Sequence, residues 1–472
     1  MEAGKQPLER GTGLALFAMA SAVLVIANDF SAINVAIPQI EKDFDTDVTT
    51  AQWVVNAYAL TFGVLIVTGG RLADLFGRRR AFFLGAAIFA SMSLAGGVAQ
   101  TEAWLIAARV LMGIGGALMW PAILGMTYAI LPASRAGLAG GVILGAAGLG
   151  NAIGPLLGGT LTDLLSWRWI FFLNLPVTAF ACFITYRQIH QPRPEVADRR
   201  IDYRGIVTLT VGLVALLLAF DQVTDLGWGD PRIIGLLVLS VLSIVAFAVT
   251  ERGAGESALV PNDVMGDRDF SAACAAILMM SAVFFATLLY MPQFMLKVMD
   301  FSPIGAGAGM LPMMATFAVV SFVSGPLYDR FGPKLLISMG AACITAGPLL
   351  LSFAVEPDSS YGSLIPGLAV TGLGIGLFYP AATTAGVTAV KESRRSLAGA
   401  IVYMFQVAGG AIGLGLTTTI FTESGEGASG AEAFVDGFDT AFRVDALIAL
   451  GGFVIAVLFV GGSLRRRRPA AA

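Results

Sequence analysis

Residues 150–159 read Gly150-Asn151-Ala152-Ile153-Gly154-Pro155-Leu156-Leu157-Gly158-Gly159, inside an apolar stretch that runs from 137 to 160. A stretch of that length is enough to cross the hydrocarbon of a bilayer. Gly150, Gly154, Gly158 and Gly159 remove side chains where a neighbouring backbone can come close, and Pro155 deletes a backbone donor and invites a bend. The run therefore predicts a membrane helix that packs tightly and hinges. For any single glycine, an ordinary small-residue packing face is the plainer reading.

The rest of the chain agrees with a membrane setting. Of 472 residues, 56% are hydrophobic and 13% charged, where soluble domains carry about a quarter charged. Fourteen stretches are apolar over about 20 residues. Their limits are 12–37, 51–70, 81–99, 103–125, 137–160, 169–187, 203–221, 232–250, 269–291, 303–325, 335–355, 362–385, 396–420 and 441–462. The fold class is thus all-α integral membrane. An even number of spans puts both termini on one side. Alternate loops carry Arg78 to Arg80, Arg135, Arg187 through Arg204, Lys391 with Arg394 and Arg395, and Arg465 to Arg468. Roughly 23 of the 29 Lys and Arg fall on that side, which places both termini in the cytoplasm.

The first stretch is too long for a signal-peptide core and is expected to remain as a span. Cys182, Cys274 and Cys343 lie far apart within apolar stretches, so they suggest neither a disulfide framework nor a metal cluster. The single histidine, His190, falls in a polar loop as a solvated side chain. No basic patch is large enough for nucleic acid. No Walker sequence, Cys/His metal spacing or Ser-His-Asp arrangement occurs, which argues against an enzyme, ATP drive or a resident cofactor. Gly372-Leu373-Gly374-Ile375-Gly376 lies within a span and is a poor phosphate loop.

The spans are organised as a duplication. Gly70, Leu72, Asp74, Gly77 and Arg78 follow the second stretch, and Gly325, Leu327, Asp329, Gly332 and Lys334 repeat them at nearly the same spacing in the last group of six. Duplicated halves with a substrate site between them are a mark of transporters. The expected organisation is a six-helix bundle in 1–190, polar linkers and two inserted helices in 191–268, and a second six-helix bundle with a basic tail in 269–472.

Gly70 to Arg80 resembles the cytoplasmic-loop signature of the major facilitator superfamily. Leu105 to Arg109 with Gly113 and Gly115 resembles its fourth-helix signature, and 150–159 its antiporter signature. Asp29 to Pro38 and Trp167 to Pro176 resemble hallmarks of its fourteen-helix drug:proton antiporter branch. Leu75 stands where a basic residue is usual, and Ser31 and Ala32 replace a commoner Thr and aliphatic residue. The resemblance implies the major facilitator fold, two six-helix bundles with two additional central helices.

Asp29 and Arg109 sit roughly 10 to 12 Å below the outer surface at 1.5 Å per residue. A charge at that depth costs at least about 2.5 kcal/mol, so it is kept where it pairs, meets water or works. One reading makes Asp29 a proton carrier beside Arg109; the other makes the two a fixed pair that locks the first and fourth helices. Asp74 and Arg78 lie in a tight loop allowed by Gly70 and Gly77. The resemblance implies a lock closing the cytoplasmic side, against a simple positive-inside anchor. Asp329 and Arg330 are placed in the same role in the second half. Asn151, Phe285 and Gln406 are candidates for a central cavity, or helix glue and lipid-facing bulk.

Together these features predict a proton-coupled exporter of amphiphilic or cationic small molecules in a bacterial cytoplasmic membrane, with the bilayer, protons and the substrate as its partners and no obligate protein partner. The alternatives are export of one dedicated metabolite, such as a self-made antibiotic, and a non-transporting membrane sensor. A sensor would normally add a soluble domain, and here the longest extramembrane pieces are about 20 residues.

Overall fold

Long apolar runs broken by Asp, Ser, Thr and Gly give a chain of helices with little between them. A computed structural model describes residues 11–190, 201–424 and 430–460. Its helices are α1 (Thr12–Phe44), α2 (Val48–Phe76), α3 (Arg78–Gly97), α4 (Glu102–Ile130), α5 (Ala136–Leu164), α6 (Arg168–Gln188), α7 (Tyr203–Leu226) and α8 (Pro231–Ala254). After them come α9 (Asn262–Met265), α10 (Arg268–Lys297), α11 (Pro303–Gly309), α12 (Leu311–Phe331), α13 (Pro333–Ala354), α14 (Tyr361–Ala389), α15 (Arg395–Ser424) and α16 (Gly430–Phe459). Fourteen are long and apolar enough to cross a membrane; α9 and α11 are short connectors.

Starts and stops follow local chemistry. Asp47, Thr101, Asp202, Asp230, Asp267 and Ser302 each accept a bond from a first-turn backbone N–H of the helix they precede, satisfying one of its orphan donors. Gly77 (φ 105°) and Gly332 (φ 83°) end α2 and α12 in backbone conformations that side chains resist. Several helices outrun their apolar stretches. α1 continues through Pro38 to Phe44, and α16 begins at Gly430 rather than near 441. Hydropathy stops at the charged residues Glu432, Asp436 and Asp439, whereas helical hydrogen bonding does not.

The packing repeats between halves. In the first, α1 lies on α5 and α6, and α4 on α2 and α3; in the second, α10 lies on α15 and α16, and α14 on α12 and α13. The halves meet where α5 packs on α12 and α15 packs on α2, so the fifth helix of each half crosses to the second of the other. The inserted pair α7 and α8 pack on each other, and α7 rests on α15 and α2. Among the expected features, the linker at 191–200, Arg465 to Arg468 and residues 1–10 lie outside the described residues.

Candidate functional site

Asp29 and Arg109 meet as an ion pair, both fully buried, where α1 passes α4. The second carboxylate oxygen, Oδ1, accepts a 2.8 Å bond from the Asn174 side-chain amide on α6, which also reaches the Ser93 hydroxyl at 3.1 Å. Arg109 Nε donates to the Val54 carbonyl at 2.8 Å, and its guanidinium lies 4.3 Å from the Tyr58 ring centroid. One donor, Arg109 Nη2, has no protein partner. Two charges have therefore been brought into a low-dielectric bundle with both carboxylate oxygens engaged and one guanidinium nitrogen unused. Such a pair is expensive to desolvate, and breaking it by removing one partner costs about 3–5 kcal/mol. Asn174 lies inside the Trp167 to Pro176 motif but carries no charge to mark it, so its part in the site appears only when α6 is seen against α1.

The Arg-rich end of the bundle holds the two halves together. Asp74 accepts from the backbone N–H of Leu397 at 2.9 Å and of Ser396 at 3.4 Å, at the first turn of α15. Arg78 bonds Asp74 at 3.1 Å, donates to the Gly125 carbonyl at 3.0 Å and reaches the Glu392 carbonyl. Asp329 does the same in mirror role: it accepts from the backbone N–H of Gly137 at 2.7 Å and of Leu138 at 3.3 Å, at the first turn of α5. Asp74 and Asp329 stand in the last turns of α2 and α12 rather than in loops, because helical hydrogen bonding runs on to Gly77 and Gly332. Each sits at the positive end of the other half's fifth helix, where a negative charge is favoured. Arg330 is not part of this contact; it is exposed and stacks on the neighbouring Phe331. Gly70 is pressed against Leu397 and Ala400, which explains the absence of a side chain there. Leu75, in place of a base, is buried at 1% exposure.

The glycines of 150–159 face α1. A Cβ on Gly150 would stand 2.6 Å from the Leu24 carbonyl oxygen, on Gly154 it would strike Ser31, and on Gly158 it would strike the Ala32 carbonyl. Gly159 differs, since its nearest neighbour is Val35 at an ordinary 3.6 Å. A second glycine row on α5, Gly137, Gly141, Gly145 and Gly148, faces α12 across the interface of the halves. Pro155 lies beside Gly307 of α11.

A narrow cleft between the halves is lined by Trp120, Leu144, Thr383, Val402, Tyr403 and Gln406, among others. Gln406 is therefore at the cleft, while Asn151 is half-buried on α5 and Phe285 packs against Phe284 and Gly410. The buried Trp120 Nε1 has no protein acceptor. Rings connect this cleft to the charge pair: Tyr58 stacks on Phe62 at 5.9 Å, Phe62 meets Tyr403 edge-on at 5.3 Å, and Tyr403 lies 4.8 Å from Trp120.

A model of the Major Facilitator Superfamily matches residues 19–413. The puromycin resistance protein pur8 of Streptomyces alboniger is 34% identical over 95% of this chain and 88% of its own length. The tetracenomycin C resistance and export protein of Streptomyces glaucescens is 31% identical over 84% of this chain and 74% of its own. In fold, the crystal structure of the human organic anion transporter MFSD10 covers 96% of this chain and all of its own, with a TM-score of 0.67 at 14% identity. With duplicated six-helix halves, matching loop motifs and drug-resistance relatives all in agreement, this chain belongs to the Major Facilitator Superfamily, among its drug and antibiotic efflux transporters.

Proposed function

We propose that the chain exports amphiphilic small molecules across a bacterial cytoplasmic membrane in exchange for protons, with Asp29 as the proton carrier and both termini in the cytoplasm. The observation that carries the reading is the fully buried Asp29–Arg109 pair, held by Asn174 and joined through aromatic rings to the cleft. Protonating Asp29 removes the charge that compensates Arg109 and leaves a buried cation held by the Val54 carbonyl, the Tyr58 and Phe171 faces and a neutral acid. That state favours a different setting of α1 against α4. Because Tyr58 shares rings with Phe62 and Tyr403, the change is felt where substrate binds. Trp120 supplies an unused N–H for an acceptor on the substrate.

The Asp74 and Asp329 contacts close the Arg-rich, cytoplasmic end, and they part when the halves rock. One proton crossing the potential releases about 2.3 kcal/mol per 100 mV, enough to drive a substrate gradient of more than tenfold. The test is Asp29→Asn in liposomes with a pH gradient. Gradient-driven export is lost, while substrate-for-substrate exchange persists; normal gradient-driven export in this variant removes Asp29 from the role. A dedicated rather than multidrug exporter is a second reading, favoured by relatives named for single antibiotics. A susceptibility panel in a pump-deficient host, with and without an uncoupler, separates the two.

A further inference from the structure

The second half holds a buried acid that this scheme does not use. Asp445 is 1% exposed and stands about four turns from either end of α16, near its middle. The apolar stretch 441–462 put it at a span edge, which hid it in the sequence. Its Oδ1 lies 2.7 Å from the Thr417 hydroxyl oxygen on α15, and its Oδ2 has no partner. Thr417 Oγ1 also lies 2.8 Å from the Gly413 carbonyl, and a hydroxyl has a single hydrogen to give. If that hydrogen goes to Gly413, as in the usual back-bond of a helical threonine, the contact with Asp445 requires a hydrogen from the carboxyl.

Among the described residues, no cation comes within ion-pair distance of Asp445; Arg268 of α10 lies over Phe459, at the far end of α16. On α16, Arg443 is 55% exposed at its side chain and pairs with Asp439 at 2.9 Å. On α10, Tyr290 donates to Thr418 at 2.7 Å, and Lys297 lies over Phe434 near the helix end. On α15, Glu423 is exposed at the last turn; on α13, the mid-helix titratable group is Cys343 and the charged Lys334 stands at the first turn. An ionised carboxylate so placed has no compensating charge, whereas a neutral one gives its hydrogen to Thr417 and leaves only a carbonyl-type oxygen, Oδ2, unpaired.

Register gives this acid a counterpart. Trp167, Ile170, Phe171, Asn174, Thr178 and Ala181 of the α6 region match Phe438, Ala441, Phe442, Asp445, Ala449 and Gly452 of α16 at one constant spacing, and all of them are buried. Gly150, Gly154 and Gly158 of α5 likewise match Gly409, Gly413 and Thr417 of α15. The residue that braces Asp29 in one half is thus replaced by an acid in the other, and the glycine facing α1 by a hydroxyl that meets it.

We propose that Asp445 is a second proton-binding carboxyl of the transport cycle, so that each substrate leaves in exchange for more than the single proton carried by Asp29. In each turnover the neutral acid releases one proton to the cytoplasmic side and, as carboxylate, regains one from the outer side; no other bond changes. The proposal rests on the proton-exchange reading of Asp29.

The test uses the full chain in liposomes, wild type against Asp29→Asn, Asp445→Asn, Asp445→Glu and Thr417→Val. The first readout is the carboxylic-acid carbonyl band in infrared difference spectra between acid and alkaline buffer. A titrating band absent in Asp445→Asn, kept in Asp29→Asn and shifted in Thr417→Val supports the proposal. The second is the limiting gradient of puromycin, or of whichever drug the susceptibility panel identifies, under an imposed tenfold proton gradient with the potential clamped. It falls from about a hundredfold to about tenfold in Asp445→Asn and is retained in Asp445→Glu. A band that does not titrate, or a limiting gradient unchanged in Asp445→Asn, overturns the proposal while leaving Asp29 in place. Gradient-driven export that survives in Asp29→Asn instead defeats the Asp29 reading, whatever Asp445 does. Should Asp445→Asn fail to fold, Thr417→Val carries the decision: an unshifted band overturns the proposal.

Discussion

Arg109 does several things at once that depend on the flat, forked guanidinium. It pairs with Asp29, donates sideways from Nε to Val54 and lays its plane near the Tyr58 ring. A lysine keeps the charge but cannot fork and stack together. Arg109→Lys is expected to fold and to lose transport by at least about tenfold, the equivalent of about 1.4 kcal/mol, in a vesicle export assay. Wild-type rates in that variant reduce the site to a point-charge pair. This pair was legible in the sequence because an ion in an apolar run has few cheap explanations. Asn174 was not, since a neutral amide blends into any helix, and its meaning depends on a contact with Asp29 across 145 positions of sequence. Asp445 was hidden differently, by a hydropathy edge drawn where the charged residues of α16 begin.

α5 shows at the scale of an element why the 150–159 run was so informative, and where its reading was too uniform. Most of its glycines fall on two faces, one row against α1 and another against α12, with Gly140 turned to α14, so a single helix serves both the inside of one half and the joint with the other. The motif names Gly158 and Gly159 together, yet only Gly158 meets a backbone at close range. Gly158→Ala forces α1 and α5 apart and is expected to destabilise by about 1–3 kcal/mol, the usual range for overpacking. Gly159→Ala is expected to be near neutral. Thermal unfolding in detergent compares them, and equal losses refute the two-face account. The spacing of the glycines could be read from the chain; which of them touch backbone could not, because that depends on the crossing of α1. Helix count, the duplication and the loop motifs were all legible for a simpler reason: bilayer thickness and turn chemistry act locally.

For the whole molecule, the decisive contacts are reciprocal: Asp74 anchors the start of α15, and Asp329 the start of α5. Each aspartate is a helix-end anion worth about 0.3–2 kcal/mol. Losing one leaves the other, so Asp74→Ala or Asp329→Ala alone is expected to lower export severalfold, and the double variant to abolish directional transport. A cysteine at Val402, in the cleft, is expected to react faster with a thiol reagent applied at the Arg-rich end as the anchors are removed. Unchanged labelling in the double variant argues that closure lies elsewhere. The inserted pair adds an asymmetry that the duplicated halves lack. α7 lies along α2 and α15, while Val319, Phe322 and Val323 of α12 and Leu149 and Leu156 of α5 stay exposed on the opposite flank. A fat-soluble compound diffusing within the leaflet thus finds one side of the carrier caulked and the other bare, so a doorway opened by rocking would admit such cargo from a single compass direction.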